Sequence, residues 1–133
     1  MQTRTERIQK DIETLAQFTS TPGKGVTRSS YSKEDTMAKY YLTGEMKKIG
    51  LEIYEDGFGT LFGRREGTMK DAPVVMLGSH YDSVVNGGAF DGVAGSVSAL
   101  EVMRVLTEEG FVNDYPLELI LMNAEEGATF GPS

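Results

Sequence analysis

Val74-Val75-Met76-Leu77 runs without a break into Gly78-Ser79-His80-Tyr81-Asp82-Ser83, and the reading of this stretch decides the fold. Four successive apolar residues followed by a polar, glycine-containing exit have the pattern of a strand buried on both faces. Downstream, Val93, Val97, Leu100, Met103 and Leu106 recur at helical spacing as far as Gly110, which suits a helix C-terminus. Leu117 to Met122 is a second apolar run. Strand, helix and strand make one βαβ crossover from Val74 to Met122, which predicts two parallel strands joined right-handedly.

Working outward from this unit, Ile8, Ile12, Leu15 and Phe18 mark an amphipathic helix over about Thr5 to Phe18, ended by the loop Thr21-Pro22-Gly23-Lys24-Gly25. Ser32 with Asp35 resembles a capping box, and Met37, Tyr40, Tyr41 and Met46 give the next helix an apolar stripe up to Gly50. Leu51 to Glu55 and Thr60 to Arg65 form a hairpin about Asp56-Gly57-Phe58-Gly59. The order α α β β β α β therefore predicts an α/β domain with a mixed sheet.

Composition bounds what such a domain does. The 133 residues carry 13 Lys+Arg against 20 Asp+Glu, a net charge of −7 that argues against nucleic acid or an anionic membrane as partner. Without Cys there are no disulfides and no thiolate ligands. With a single His, a transition-metal site must rest almost wholly on carboxylates. No apolar stretch follows the charged start and no run approaches membrane-spanning length, so the chain is read as cytoplasmic.

Ligands in open α/β sheets gather beyond the carboxyl ends of the strands, and both buried strands end in polar residues there. His80 and Asp82 sit two apart in an extended segment, so the carboxylate is placed to orient the imidazole; the structural alternative is a hydrogen-bonded strand-end His. Asp91, in Gly87-Gly88-Ala89-Phe90-Asp91-Gly92, is either a shared metal ligand or simply the cap of the helix that follows. Glu125 and Glu126 are adjacent carboxylates whose repulsion is relieved by a cation, a shared proton or solvent. The glycine pairs fit neither GxGxxG nor GxxxxGK[ST], and Ser79 and Ser83 lie in no GxSxG elbow. A glycosidase pairing of Glu125 with Asp91 has no further support.

Taken in order, Gly78-Ser79-His80-Tyr81-Asp82-Ser83, Asn86-Gly87-Gly88-Ala89-Phe90-Asp91-Gly92 and Glu125-Glu126-Gly127 resemble the N-terminal part of the hydantoinase/carbamoylase family. Its members are N-carbamoyl-L-amino-acid hydrolases and allantoate amidohydrolases of the dinuclear metallopeptidase superfamily. Gly25-Val26-Thr27-Arg28, Tyr31-Ser32 and Leu61-Phe62-Gly63-Arg64 add to the likeness, whereas Gly59-Thr60 stands where Gly-Asn is usual. The resemblance implies a partial three-layer α/β/α catalytic domain, truncated after the second buried strand. His80 would ligate one metal ion, Asp91 would bridge two and Glu126 would ligate the other. Asp82 would orient His80, and Glu125 would be the general base.

The same resemblance implies two divalent ions (Zn, Mn, Co or Ni) and a small-molecule substrate with a C–N bond to hydrolyse, N-carbamoyl amino acid or ureido compound. It also implies a homodimer of the intact enzyme. Residues 1–133 would be the N-terminal part of the metal-binding domain, lacking the dimerisation domain and two later His ligands. Metal occupancy would then be weak and turnover slight, and the last strand, deprived of neighbours, would expose an apolar edge or face that favours self-association. A deacylase or aminopeptidase of the same superfamily, or a non-catalytic interaction module, are the alternative functions.

Overall fold

A computed structural model describes residues 1–127; the domain assignment to 1–133 and the terminal Gly131-Pro132-Ser133 extend outside the described residues. The elements are α1 (Thr5–Ala16), α2 (Lys33–Lys48), β1 (Glu52–Glu55), β2 (Leu61–Arg65), β3 (Val75–His80), α3 (Val93–Glu108) and β4 (Leu117–Met122). Their order is that expected from periodicity. Ser32 caps α2, its Oγ accepting from the Asp35 N–H at 3.1 Å. Asp56 builds the hairpin turn by accepting from the N–H groups of Phe58 and Thr60 at 2.9 and 3.0 Å.

The four strands form one mixed sheet in the order β1-β2-β4-β3. β1 and β2 pair antiparallel, as do β2 and β4, while β3 and β4 pair parallel with Val75 opposite Leu117 and His80 opposite Met122. The crossover thus joins parallel neighbours. A Cβ placed on Gly63 would lie 2.7 Å from Met46 Sδ of α2, and one on Gly95 of α3 would lie 2.9 Å from Ser79 Cβ. Gly63 and Ser79 are opposite Leu119 and Leu121, alternate residues of β4, so α2 and α3 cover the same sheet face. α1 packs on α3. Among the described residues, then, two layers of the expected three are present.

The core of that helix-covered face includes Leu15, Leu42, Met46, Val97, Leu100, Met103, Leu119 and Leu121, all fully buried. On the opposite face Tyr54 stacks on Phe62 with ring centroids 4.6 Å apart, and its hydroxyl donates to Glu118 at 2.6 Å. Two expectations are corrected here. β3 is an edge strand, with Val75 48% and Met76 52% exposed, so its apolar run is not buried on both faces. The last strand, β4, lies inside the sheet with partners on both sides, and the apolar edge belongs to β3. No helix among the described residues is long and apolar enough to cross a membrane.

A buried charge network ties the helices together. Arg104 of α3 grips Asp11 of α1 through both guanidinium nitrogens at 2.7 and 3.2 Å and donates to Glu45 of α2 at 2.8 Å. Glu101, fully buried, accepts from the Arg4 N–H and from Arg7 Nη2 at 2.8 and 2.7 Å. Burial works to raise its carboxyl, but the Arg7 bond and the Arg4 N–H prevail and hold it below its ordinary value of 4.5. A carboxyl depressed on folding stabilises the fold above that value and ceases to do so as pH falls through its folded pKa. The melting temperature should therefore fall below pH 4.5, and Glu101→Gln should cost about 2 kcal/mol near pH 7 while flattening the acid slope. Thermal melts of both proteins from pH 7 to pH 3 measure this, and parallel curves would assign the acid sensitivity elsewhere.

Candidate metal centre

The βαβ unit brings the two polar strand ends together. β3 delivers His80 and β4 delivers Glu125 and Glu126, because register sets His80 against Met122 and the Tyr81 N–H continues the ladder to the Met122 carbonyl at 3.0 Å. Asp91 arrives from the loop before α3. It does not cap that helix: the N-cap is Gly92, with no side-chain capping bond. The local argument for an Asp at a helix entrance thus fails, and the carboxylate is left for the site.

His80, Asp91 and Glu126 each offer one ligand atom, and these atoms all lie within 4.8 Å of one another. His80 Nδ1 is 3.0 Å from the Asp82 carbonyl and 3.5 Å from its Oδ1. Because a carbonyl only accepts, Nδ1 carries a proton, which leaves Nε2 as the nitrogen that could ligate. Nε2 lies 3.6 Å from Glu125 Oε2 and 3.6 Å from Glu126 Oε1. Asp82 meets His80 through both its main-chain carbonyl and its carboxylate. Its buried carboxylate has another task, accepting the N–H groups of Glu125 and Glu126 at 3.2 and 3.0 Å. One residue therefore fixes both the imidazole and the acidic turn.

The electrostatics fit a cation. The Asp82 carboxylate, ahead of the opposing effect of burial, raises His80 to about 9, with the Asp82 carbonyl and Glu125 adding to it. Burial works against the charged form of Asp82, yet His80 and the two turn N–H groups hold its carboxyl below the usual range. Burial, then a hydrogen bond shared with Asp91, raises Glu126. Two carboxylates crowded beside an imidazole are a donor set that a divalent cation satisfies. The three donors can serve one ion, where sequence reasoning divided them over two.

Several site-building residues had escaped sequence reasoning. Val26, Thr27 and Arg28 run alongside the glycine-rich loop: Val26 and Gly87 exchange both backbone hydrogen bonds at 2.9 and 2.8 Å, and Asn86 N–H donates to Thr27 Oγ1 at 2.8 Å. Ser83 Oγ donates to the Val26 carbonyl at 2.9 Å and accepts the Arg28 N–H at 2.8 Å, so it is committed to structure and not to nucleophilic attack. Buried Arg28 donates to three carbonyls, of Tyr81 at 2.7 Å, Leu15 at 2.6 Å and Phe18 at 3.0 Å. Asn123 at the end of β4 is the remaining one. Its signal was its position, a buried amide immediately before the acidic turn.

The chain is similar to proteins of known family. Residues 60–133 match the family model described as Peptidase family M28. An N-carbamoyl-L-amino-acid amidohydrolase of Paenarthrobacter aurescens is 50% identical over 125 residues, 94% of this chain and 30% of that protein. An allantoate amidohydrolase of Bacillus subtilis is 39% identical over 119 residues, 90% of this chain and 29% of that protein. A crystal structure of a hydantoinase/carbamoylase family amidase from Burkholderia ambifaria superposes with a TM-score of 0.92 at 35% identity, covering 98% of this chain and 32% of that one. The chain thus spans about three tenths of the length of the relatives it matches.

Proposed function

The chain belongs to peptidase family M28, and from that premise we propose that it is the metal-binding part of an amidohydrolase that cleaves a C–N bond of an N-carbamoyl amino acid or a ureido compound such as allantoate. The observation that carries the reading is the convergence of His80, Asp91 and Glu126 donor atoms within 4.8 Å from three separate segments. His80 Nε2, Asp91 and Glu126 would hold a divalent ion, with Asp91 placed to be shared should a second ion bind beside it. When bound, such an ion supplies Lewis-acid polarisation of the scissile carbonyl.

The chain's own residues supply the rest. Glu125 is half-exposed, 47% at its side chain, with Oε2 3.6 Å from His80 Nε2. It is the group free to take a proton from the attacking water and to return it to the leaving nitrogen. Asp82 holds the backbone of Glu125 and Glu126 while its carbonyl fixes the imidazole, so acid-base group and ligands keep one geometry. The relatives' names support the ureido and carbamoyl substrate class. Cytoplasmic location, a homodimer of the longer protein and self-association through the β3 edge remain part of this proposal.

Titration of residues 1–133 with Co²⁺, followed by calorimetry and thermal melting, tests the reading. At a hundredfold excess over the dissociation constant, binding should stabilise the chain by about 2.7 kcal/mol. His80→Ala and Asp91→Asn should abolish that gain and Glu125→Gln should keep it. Equal stabilisation of all four proteins would defeat the assignment. Ammonia release from N-carbamoyl amino acids should be slight for this chain, and robust turnover would overturn the expectation that further ligands are needed.

A further inference from the structure

Asp35 sits in the first turn of α2 and is only 1% exposed. Its Oδ2 accepts the Tyr31 N–H at 3.0 Å and the Asn123 side-chain amide at 3.2 Å, while Oδ1 is buried without a hydrogen-bond partner among the described residues. A capping carboxylate normally stays near solvent, and burying one with an orphaned oxygen is costly. The Tyr31 bond and the Ser32 cap form the reciprocal pattern of a helix start, but neither accounts for the bond to Asn123 or for the orphaned Oδ1.

Asn123 explains where the interaction leads. Its Oδ1 accepts the Ala124 N–H at 2.9 Å, and its own N–H donates to Thr60 Oγ1 at 3.3 Å. Ala124 has φ of 58°, a left-handed conformation that a non-glycine residue adopts only when its surroundings enforce it. That kink sends the chain from β4 into Glu125 and Glu126, whose N–H groups then reach Asp82. The turn is consequently held from two sides, by Asp82 within the site and by Asn123 behind it.

We infer that Asp35 is a positioning residue for the acidic turn Ala124–Glu126, acting through Asn123 across 88 residues of sequence. Its meaning for the site rests on the proposed roles of Glu125 and Glu126, whereas the brace itself stands on the hydrogen bonds. Hydrogen exchange of the metal-free chain, corrected for global stability, separates bracing from capping. Asp35→Ala should speed exchange of the Ala124, Glu125 and Glu126 amides about tenfold. Ser32→Ala, which removes the cap of the same helix, should leave those three amides unchanged. Asp35→Asn keeps an acceptor for Asn123 and should restore most of the protection. Equal corrected rates in Asp35→Ala and Ser32→Ala would overturn the inference. If Asp35→Ala does not fold, Asn123→Ala gives the same readout, and unchanged exchange there would overturn it. A wild-type chain that binds no Co²⁺ would defeat the metal reading alone, since the exchange rates still decide the brace.

Discussion

Gly92→Ala should destroy the proposed metal site. Gly92 has φ of 72°, and a Cβ there would lie 2.2 Å from His80 Cε1 and 2.4 Å from both ring nitrogens. These atoms belong to a ring held by the Asp82 carbonyl, not to the far end of a flexible chain. The imidazole must leave its position or the entrance to α3 must move, and Asp91, one residue earlier, moves with it. The strained backbone alone costs about 1–2 kcal/mol. Cobalt affinity should fall about 100-fold or more, as when the groups orienting a ligand are lost. Calorimetric titration beside wild type reads the affinity directly, and the metal-free melt reads the strain. Unchanged affinity would mean that His80 is not a ligand.

Arg28→Met should be the most destabilising substitution without any metal. Arg28 is 1% exposed and spends its donors on the Tyr81 carbonyl beside His80 and on the Leu15 and Phe18 carbonyls at the end of α1. Burial lowers its guanidinium to about 10, against the charges of Asp35 and Asp82, so it remains a cation at neutral pH. Methionine fills comparable space but takes the side-chain donor from the Tyr81 and Phe18 carbonyls, while Leu15 keeps the Phe18 N–H; each lost partner costs about 1–3 kcal/mol, not fully additive. A loss of roughly 4 kcal/mol is expected, a large share of the 5–15 kcal/mol that holds a typical domain. Urea denaturation measures it. Arg28→Lys should recover only part, because one ammonium cannot span carbonyls on two segments. A loss under about 1 kcal/mol would show that those carbonyls find other donors.

These two residues also mark what was legible in the sequence. The elements were, because Val93 to Leu106 and Leu117 to Met122 carry their periods locally. So was the meeting of His80 with Glu125 and Glu126, since a parallel crossover brings its two strand ends side by side and both ends here are acidic or imidazole-bearing. What misled was burial: an apolar run such as Val75-Met76 reads the same in an edge strand as in a central one. What stayed hidden were hydrogen bonds between distant segments. Arg28 reaches Tyr81 across 53 residues and Asp35 reaches Asn123 across 88, and no periodicity records either pairing. Asp91 was obscured for the opposite reason, since local rules offered it a capping role that Gly92 in fact fills without a side-chain bond.

The place of β4 between β2 and β3 has a consequence for biosynthesis. The strand that joins the hairpin to the crossover is made after both of its partners, so a nascent chain that has emerged only to Pro116 holds β2 and β3 apart, each with an unpaired side. Folding of the sheet must wait for Leu117–Met122, and contacts such as Glu101 with Arg4 add pairings separated by 97 residues. During that interval the nascent chain presents open edges on β2 and β3, which makes a translation pause just before residue 117 a point of aggregation risk.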